Sequence, residues 1–215
     1  MSDVQTLLPA SEFTNPMNSK TLPVSVCGLD LSLTSTGFAL KYDNAISMET
    51  IKTTPKTCEN DLARLRYICS EIMKRIPKNV AMVCVEDFFT PQNAYQVGAA
   101  IGLAMLGAIV RMALYEAGIP FYVVAASQLK KFATGKGIGQ KSIILKEVYK
   151  RWGLDAKDDN QADACVLAYM AESICYLQVD APKYQAEVIQ KIIHERPHYN
   201  VAGEGSRIVE PAKVG

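Results

Sequence analysis

The sequence predicts an α/β domain built on one mixed sheet, three antiparallel strands followed by parallel ones, with helices covering its faces. Three observations carry that expectation. Apolar runs at Val24–Leu29, Val80–Val85 and Phe121–Val124 are short and nearly continuous, the mark of strands buried on both faces. The first is followed by two further strand-like stretches, Phe38–Tyr42 and Ala45–Ile51, joined by the turn signal Asp43-Asn44, which makes an antiparallel meander. From Glu59 onward the period changes, and Leu62, Leu65, Ile68, Cys69, Ile72 and Ile76 recur at helical spacing up to Pro77.

Taken in order, residues 1–23 are polar, contain prolines at 9, 16 and 23, and read as a flexible arm before a domain spanning 24–177. The first strand delivers Asp30 at its C-terminal end, and the small-polar stretch Ser32–Gly37 turns the chain into the second strand. The run at Val80–Val85 ends at Glu86. A helix over Ala94–Ala117 is rich in small residues, with Gly98, Gly102 and Gly107 among them. Glycine costs a helix about 1 kcal/mol against alanine, so either tight packing on the sheet or a dimer seam is expected there. Gly118-Ile-Pro120 stops that helix before the strand at Phe121. Ser127 is placed to N-cap a short helix through Phe132, Thr134–Gly139 is a glycine-rich loop, and Gln140–Trp152 forms the next helix. Asp158–Asp163 opens an apolar helix to about Leu177, and 178–215 reads as an extension with one amphipathic helix, Tyr184–Ile193, and a tail.

Composition narrows the classes. Apolar residues make up 49% and charged residues 21%, with a net charge of +1, so any nucleic-acid surface is local. The six cysteines form no CxxC pair and sit mostly in apolar segments, which reads as reduced, buried thiols in a cytosolic protein. Two histidines, His194 and His198, leave almost no material for a histidine zinc site or a Ser-His triad. The N-terminus lacks a signal-peptide pattern, and the uncharged run 97–110 is short of the roughly 20 residues that span a bilayer. The expectation is a soluble, cytoplasmic protein with no membrane contact.

Asp30 and Glu86 end buried strands, and if those strands pair in parallel the two carboxylates meet at one sheet edge. Asp163 lies among Ala162, Ala164, Cys165 and Val166, where a carboxylate has no structural reason to be. Its helix face also offers either Asp159 or Asn160, whereas Asp158 lies off that face and reads as a plain cap. Such an all-oxygen set suits hard cations, Mg²⁺ or Mn²⁺. Two ions about 3.5–4 Å apart suit phosphodiester hydrolysis. Between Lys130 and Lys157 eight basic residues face two acidic ones, a local +6 that suits a phosphate backbone; Lys130, Lys131, Lys136, Lys141, Lys146 and Lys150 are its candidate contacts. Thr134–Gly139 is not a Walker loop, so no nucleotide cofactor is expected.

The series Gly28–Gly37, Val85-Glu-Asp-Phe-Phe89, Gly98–Arg111, Lys131–Lys141 and Gln161–Ala168 resembles the RuvC-type Holliday-junction resolvases, nucleases of ribonuclease-H-like fold, with a likeness closer to phage-type members. The resemblance implies a Mg²⁺-dependent homodimer that nicks paired strands at four-way DNA junctions, with two ions per site. It puts the family's acids on Asp30, Glu86 and Asp163, and its remaining ligand on Asn160, a departure from the usual Asp or His, with Asp159 as the alternative. It also matches Phe89, with Phe88 beside it, to an aromatic at the junction centre, Lys141 to a catalytic-side lysine and Lys131 to a DNA-contacting lysine. Three other readings remain open: a nuclease of the same fold cutting flaps or forks, an actin-like ATPase, and a non-catalytic junction-binding protein.

Overall fold

A computed structural model describes residues 24–54, 58–87, 97–137, 141–176 and 181–195. Five strands form one sheet: β1 (Ser25–Asp30), β2 (Ser35–Tyr42), β3 (Ala45–Lys52), β4 (Val80–Glu86) and β5 (Phe121–Val124), in the spatial order β3-β2-β1-β4-β5. The first three pair antiparallel, and β1–β4 and β4–β5 are parallel. The mixed sheet expected from the apolar runs is therefore present. β2 begins three residues earlier than the sequence suggested. The intervening turn is wound tight by Thr36, whose hydroxyl donates to the Ser32 carbonyl (2.7 Å) and accepts from the Ser32 N–H (3.1 Å).

Helices cover both faces, and the alternation of strand side chains assigns them. Cys27, Leu29, Val83, Val85 and Val123 point to a layer made by α1 (Asp61–Arg75) and α2 (Val97–Glu116), through Leu65, Ile68, Ile72, Leu106, Val110 and Leu114. Val26, Met82, Cys84, Tyr122 and Val124 point the other way, to α3 (Ala126–Thr134), α4 (Lys141–Trp152), α5 (Asp159–Tyr176) and α6 (Lys183–Glu195). α6 shares this core through Val188, Ile189 and Ile192. All six cysteines are free, and all but Cys175 are buried, as expected of reduced core thiols.

Several local expectations are corrected. Asn60 caps α1 by accepting from the Ala63 N–H at 2.9 Å, and Leu62, placed by periodicity on the buried face, is 67% exposed in the first turn. Ser127 is not the cap of α3. Ala125 holds that position, and the Gln128 side chain reaches back to accept from its N–H at 2.9 Å. Asp158 does cap α5, accepting from the Gln161 N–H at 2.8 Å while its other oxygen accepts from the Thr50 hydroxyl at 2.7 Å. The uncharged run ends at Val110 as read, but the helix expected over Ala94–Ala117 is observed from Val97 to Glu116 and as a whole is long and apolar enough by composition to cross a membrane. Its buried side chains, however, lie in the core shared with α1 and the sheet.

The fit of α5 on the sheet positions everything that follows. α5 is apolar on nearly every side, and its backbone touches β1 and β2 directly. A Cβ built on Gly28 would lie 2.0 Å from the Ala164 carbonyl oxygen, and one on Gly37 would lie 2.0 Å from that of Asn160. No side chain fits at either place. Ala39, Ala164 and Ala168 extend the same close approach. At the far end of α5, the buried Lys41 ammonium lies 2.6 Å from Glu172 Oε1 and 5.3 Å from the centre of the Tyr169 ring. That ring stacks on Trp152 at 4.1 Å.

Candidate metal centre

Parallel pairing of β1 with β4 brings Leu29 opposite Val85, so the next residue of each strand, Asp30 and Glu86, emerges at the same sheet edge. α5 supplies the third carboxylate. Gly37 is the cross-strand partner of Asp30, and the Asn160 backbone rests on it, which puts the first turns of α5 over the end of β1. Asp163, one turn farther on, is 8% exposed. One ligand oxygen each from Asp30, Glu86 and Asp163 lie within 4.8 Å of one another. The three residues that the sequence singled out from separate elements therefore converge.

The other expected residues fall into distinct places. Asp159 is the first residue of α5, half-buried, and is not among the carboxylates that lie within 4.8 Å of one another. Asn160 is held by its backbone beside the Asp30 strand end. Lys130 and Lys131 stand on α3, and Lys131 pairs with Glu187 of α6 at 3.2 Å. Lys136 is exposed in the turn after α3. There Gly135, at φ 78°, donates to the Lys131 carbonyl at 2.8 Å, and Thr134 accepts from the Lys136 N–H at 3.0 Å. Lys141 begins α4, on which Lys146 and Lys150 are exposed. Phe88 and Phe89 lie outside the described residues.

A cavity of about 150 Å³ opens beside the carboxylates, lined by Asp30, Leu31, Glu86, Asp87, Leu103 and Arg111 among others. Arg111 is the residue that sequence reasoning missed. Its signal was faint, a single cation closing a long uncharged run.

The donor set fits a hard divalent cation. It is three carboxylates with no imidazole or thiolate in the group. The core thiols are poor competitors, since burial pushes Cys84 well above the usual thiol range and Cys165 up to about 12.

A family model described as Crossover junction endodeoxyribonuclease RuvC matches residues 26–171. The chain belongs to the RuvC family. It is therefore a nuclease, and the match covers both strand-end carboxylates, Asp163 and the basic segment. The Crossover junction endodeoxyribonuclease RuvC of Thermus thermophilus is 29% identical over 157 residues, covering 66% of this chain and 90% of that protein. Among solved structures, T. thermophilus RuvC in complex with a Holliday junction substrate superposes with a TM-score of 0.55 at 25% identity, over 67% of this chain and 90% of that one. A Thermus thermophilus RuvC structure gives 0.50 at 28% identity, over 67% and 91% of the two chains. The family match stops within α5, so α6 lies beyond it.

Proposed function

We propose that this RuvC-family chain resolves four-way DNA junctions as a homodimer, by divalent-metal-dependent hydrolysis that places one nick in each of two strands. The observation that supports it most is the meeting of Asp30, Glu86 and Asp163 within 4.8 Å at the end of the parallel strands of a RuvC-family sheet. Two Mg²⁺ ions held there by these carboxylates, with Asp159 or Asn160 completing the set, would activate the attacking water and stabilise the leaving 3′ oxygen. Asp159 has the stronger charge for a divalent ion, whereas the Asn160 backbone rests beside the Asp30 strand end.

The chain's own groups do the rest. Lys130, Lys136, Lys146 and Lys150 offer the backbone of the DNA a cationic track, and Lys141, at the first turn of α4, is assigned to the phosphoryl oxygens as they gain charge. Phe88 and Phe89, just past Glu86, are assigned to the opened junction centre. The homodimer is supported by α2, which leaves Ile101, Met105, Ile109, Met112 and Tyr115 exposed along one face. An enzyme of this kind works where the DNA is, in the cytoplasm of a bacterium or of a phage-infected cell.

A synthetic four-way junction, assayed beside a duplex and a flap, tests the reading. With Mg²⁺ the junction should be cut in paired, symmetric positions and the duplex left intact. Asp30→Asn, Glu86→Gln and Asp163→Asn should each lower the rate at least about 1000-fold, while junction binding stays within about threefold. Preferential cutting of the flap would move the substrate to other branched DNA. Full activity in any of the three variants would remove that carboxylate from the mechanism.

A further inference from the structure

We infer that Arg111 is the phosphate-receiving cation of the carboxylate cavity: its guanidinium takes a phosphate of the DNA strand that lies on Asp30, Glu86 and Asp163. The inference rests on the junction-nuclease reading and adds to it a group on α2, away from the basic α3–α4 segment.

Arg111 is half-buried and lines the same cavity as Asp30, Glu86 and Asp87. Among the described residues its hydrogen bond is made by Nε, which donates to the Gly107 carbonyl of its own helix at 2.9 Å. A guanidinium carries five N–H donors, so this anchor leaves the terminal fork to spare. The pose lies beside Gly107. A Cβ there would lie 3.4 Å from Arg111 Nη2, and the side chain lies along the helix over that glycine.

Charge supports the same assignment. α2 carries two charged residues in 20, Arg111 and Glu116, and Arg111 is the one that lines the acidic cavity, bordering also an apolar one with Met112 and Tyr115. No ion pair is made by Arg111 among the described residues, although a half-buried cation is costly to keep without one. A phosphate suits the free fork, because two of its oxygens accept parallel N–H donors. The arrangement also gives a strand seated on a cluster of negative carboxylates a fixed positive charge on the opposite wall.

The role predicts two effects of opposite sign. Removing a positive charge near three carboxylates should tighten Mg²⁺ or Mn²⁺, so Arg111→Ala should bind metal about 3–10-fold more tightly in the absence of DNA. The same variant should cleave a four-way junction at least about 30-fold more slowly in single turnover at saturating protein. Arg111→Lys keeps the charge and loses the fork. It should show wild-type metal affinity and an intermediate cleavage rate, with a melting temperature that separates these effects from misfolding. Wild-type cleavage by Arg111→Ala would overturn the inference, as would metal affinity that falls together with the rate, the signature of an arginine that merely holds α2 in place. If the unaltered chain cut no junction, the substrate reading would fall. The metal titration would still decide for Arg111, with tightening in the alanine variant supporting it and no change or weakening overturning it.

Discussion

Two surfaces of this molecule carry glycines, and they use them in opposite ways. Where α5 lies on β1 and β2, Gly28 and Gly37 are pressed against helix backbone, and a methyl group at either would overlap a carbonyl oxygen. On α2, a Cβ on Gly98 would meet nothing within 4 Å, and one on Gly102 would meet the end of the Leu33 side chain. The expectation that the α2 glycines reflect tight packing on the sheet is thus not met. The close-packed glycines are in the strands instead. One surface is locked within the chain and sets the carboxylate cluster, whereas the other is left open and apolar for a partner. The difference shows that a glycine's meaning lies in what its missing side chain would touch.

The hardest blow to the locked surface is Gly37→Ala. Its methyl would sit 2.0 Å from a backbone oxygen, which cannot rotate away, so α5 must shift. We expect a stability loss of about 3 kcal/mol or more, measured by denaturant unfolding, together with loss of metal binding by calorimetry, since the shift displaces Asp163 from Asp30. Next in size is the pin at the other end of α5. Glu172→Leu leaves the buried Lys41 ammonium without its carboxylate and should cost about 3 kcal/mol, with a smaller loss in the double variant that also carries Lys41→Met.

The open surface should respond differently. Met112 is 57% exposed, so Met112→Glu should leave chain stability within about 0.5 kcal/mol. Sedimentation should nevertheless show the dimer weakened by at least about 30-fold, because the carboxylate would be buried against the second copy. An unchanged dimer would place the partner elsewhere.

Alkaline pH separates the surfaces without a substitution. Burial pushes Cys165 from 9.0 up to about 12, with Lys41 opposing, and burial also raises Tyr169 from 10.0 to about 12. Below pH 9 both groups are protonated whether the chain is folded or not. Between pH 9 and 12 the unfolded chain releases protons that the native α5 keeps, so stability should fall as pH rises, by about 2 kcal/mol near pH 10. A Tm flat from pH 8 to 11 would contradict the dry packing of α5. The smallest effect has the opposite sign. Gly98→Ala should stabilise the isolated chain by up to about 1 kcal/mol through helix propensity, read as a raised Tm in Met112→Glu, where dimerisation no longer contributes.

Local chemistry made much of this legible in advance. Asp30 and Glu86 each follow an uninterrupted apolar run, and Asp163 interrupts one, so their burden of desolvation is written in their neighbours. The β1–β4 pairing that unites the first two was only a condition in the sequence, since burial on both faces marks central strands without saying which neighbours they take, and the structure meets it. What escaped notice depended on contacts across the fold. Ser127 looks like a cap because serine is a good one, but the helix has already begun at Ala126, and the Leu129 N–H that such a cap would serve donates to the Ala125 carbonyl. Leu62 keeps the helical period yet lies exposed in the first turn. Arg111 seemed only the end of an uncharged run, because nothing within α2 reveals that this turn borders the carboxylates. Gly37 was visible only as the end of a turn and Gly28 only as part of the first motif, while their role as a seat for α5 appears only once α5 is laid on them.

The helix beyond the family match gives the segment proposed to take DNA an internal rival. α6 sets Glu187 on Lys131, and the Tyr184 hydroxyl receives Arg151, so two cations of the basic stretch are already engaged before any phosphate arrives. Such an exposed pair is worth about 1 kcal/mol at most and fades as ions screen it. Added salt therefore weakens the rival and the phosphate contact together. On the proposed reading Lys131 should therefore act as a salt-buffered contact, its share of DNA affinity changing less with ionic strength than that of Lys146 or Lys150, so that α6 would set how steeply the enzyme's grip responds to the ionic composition of its cell.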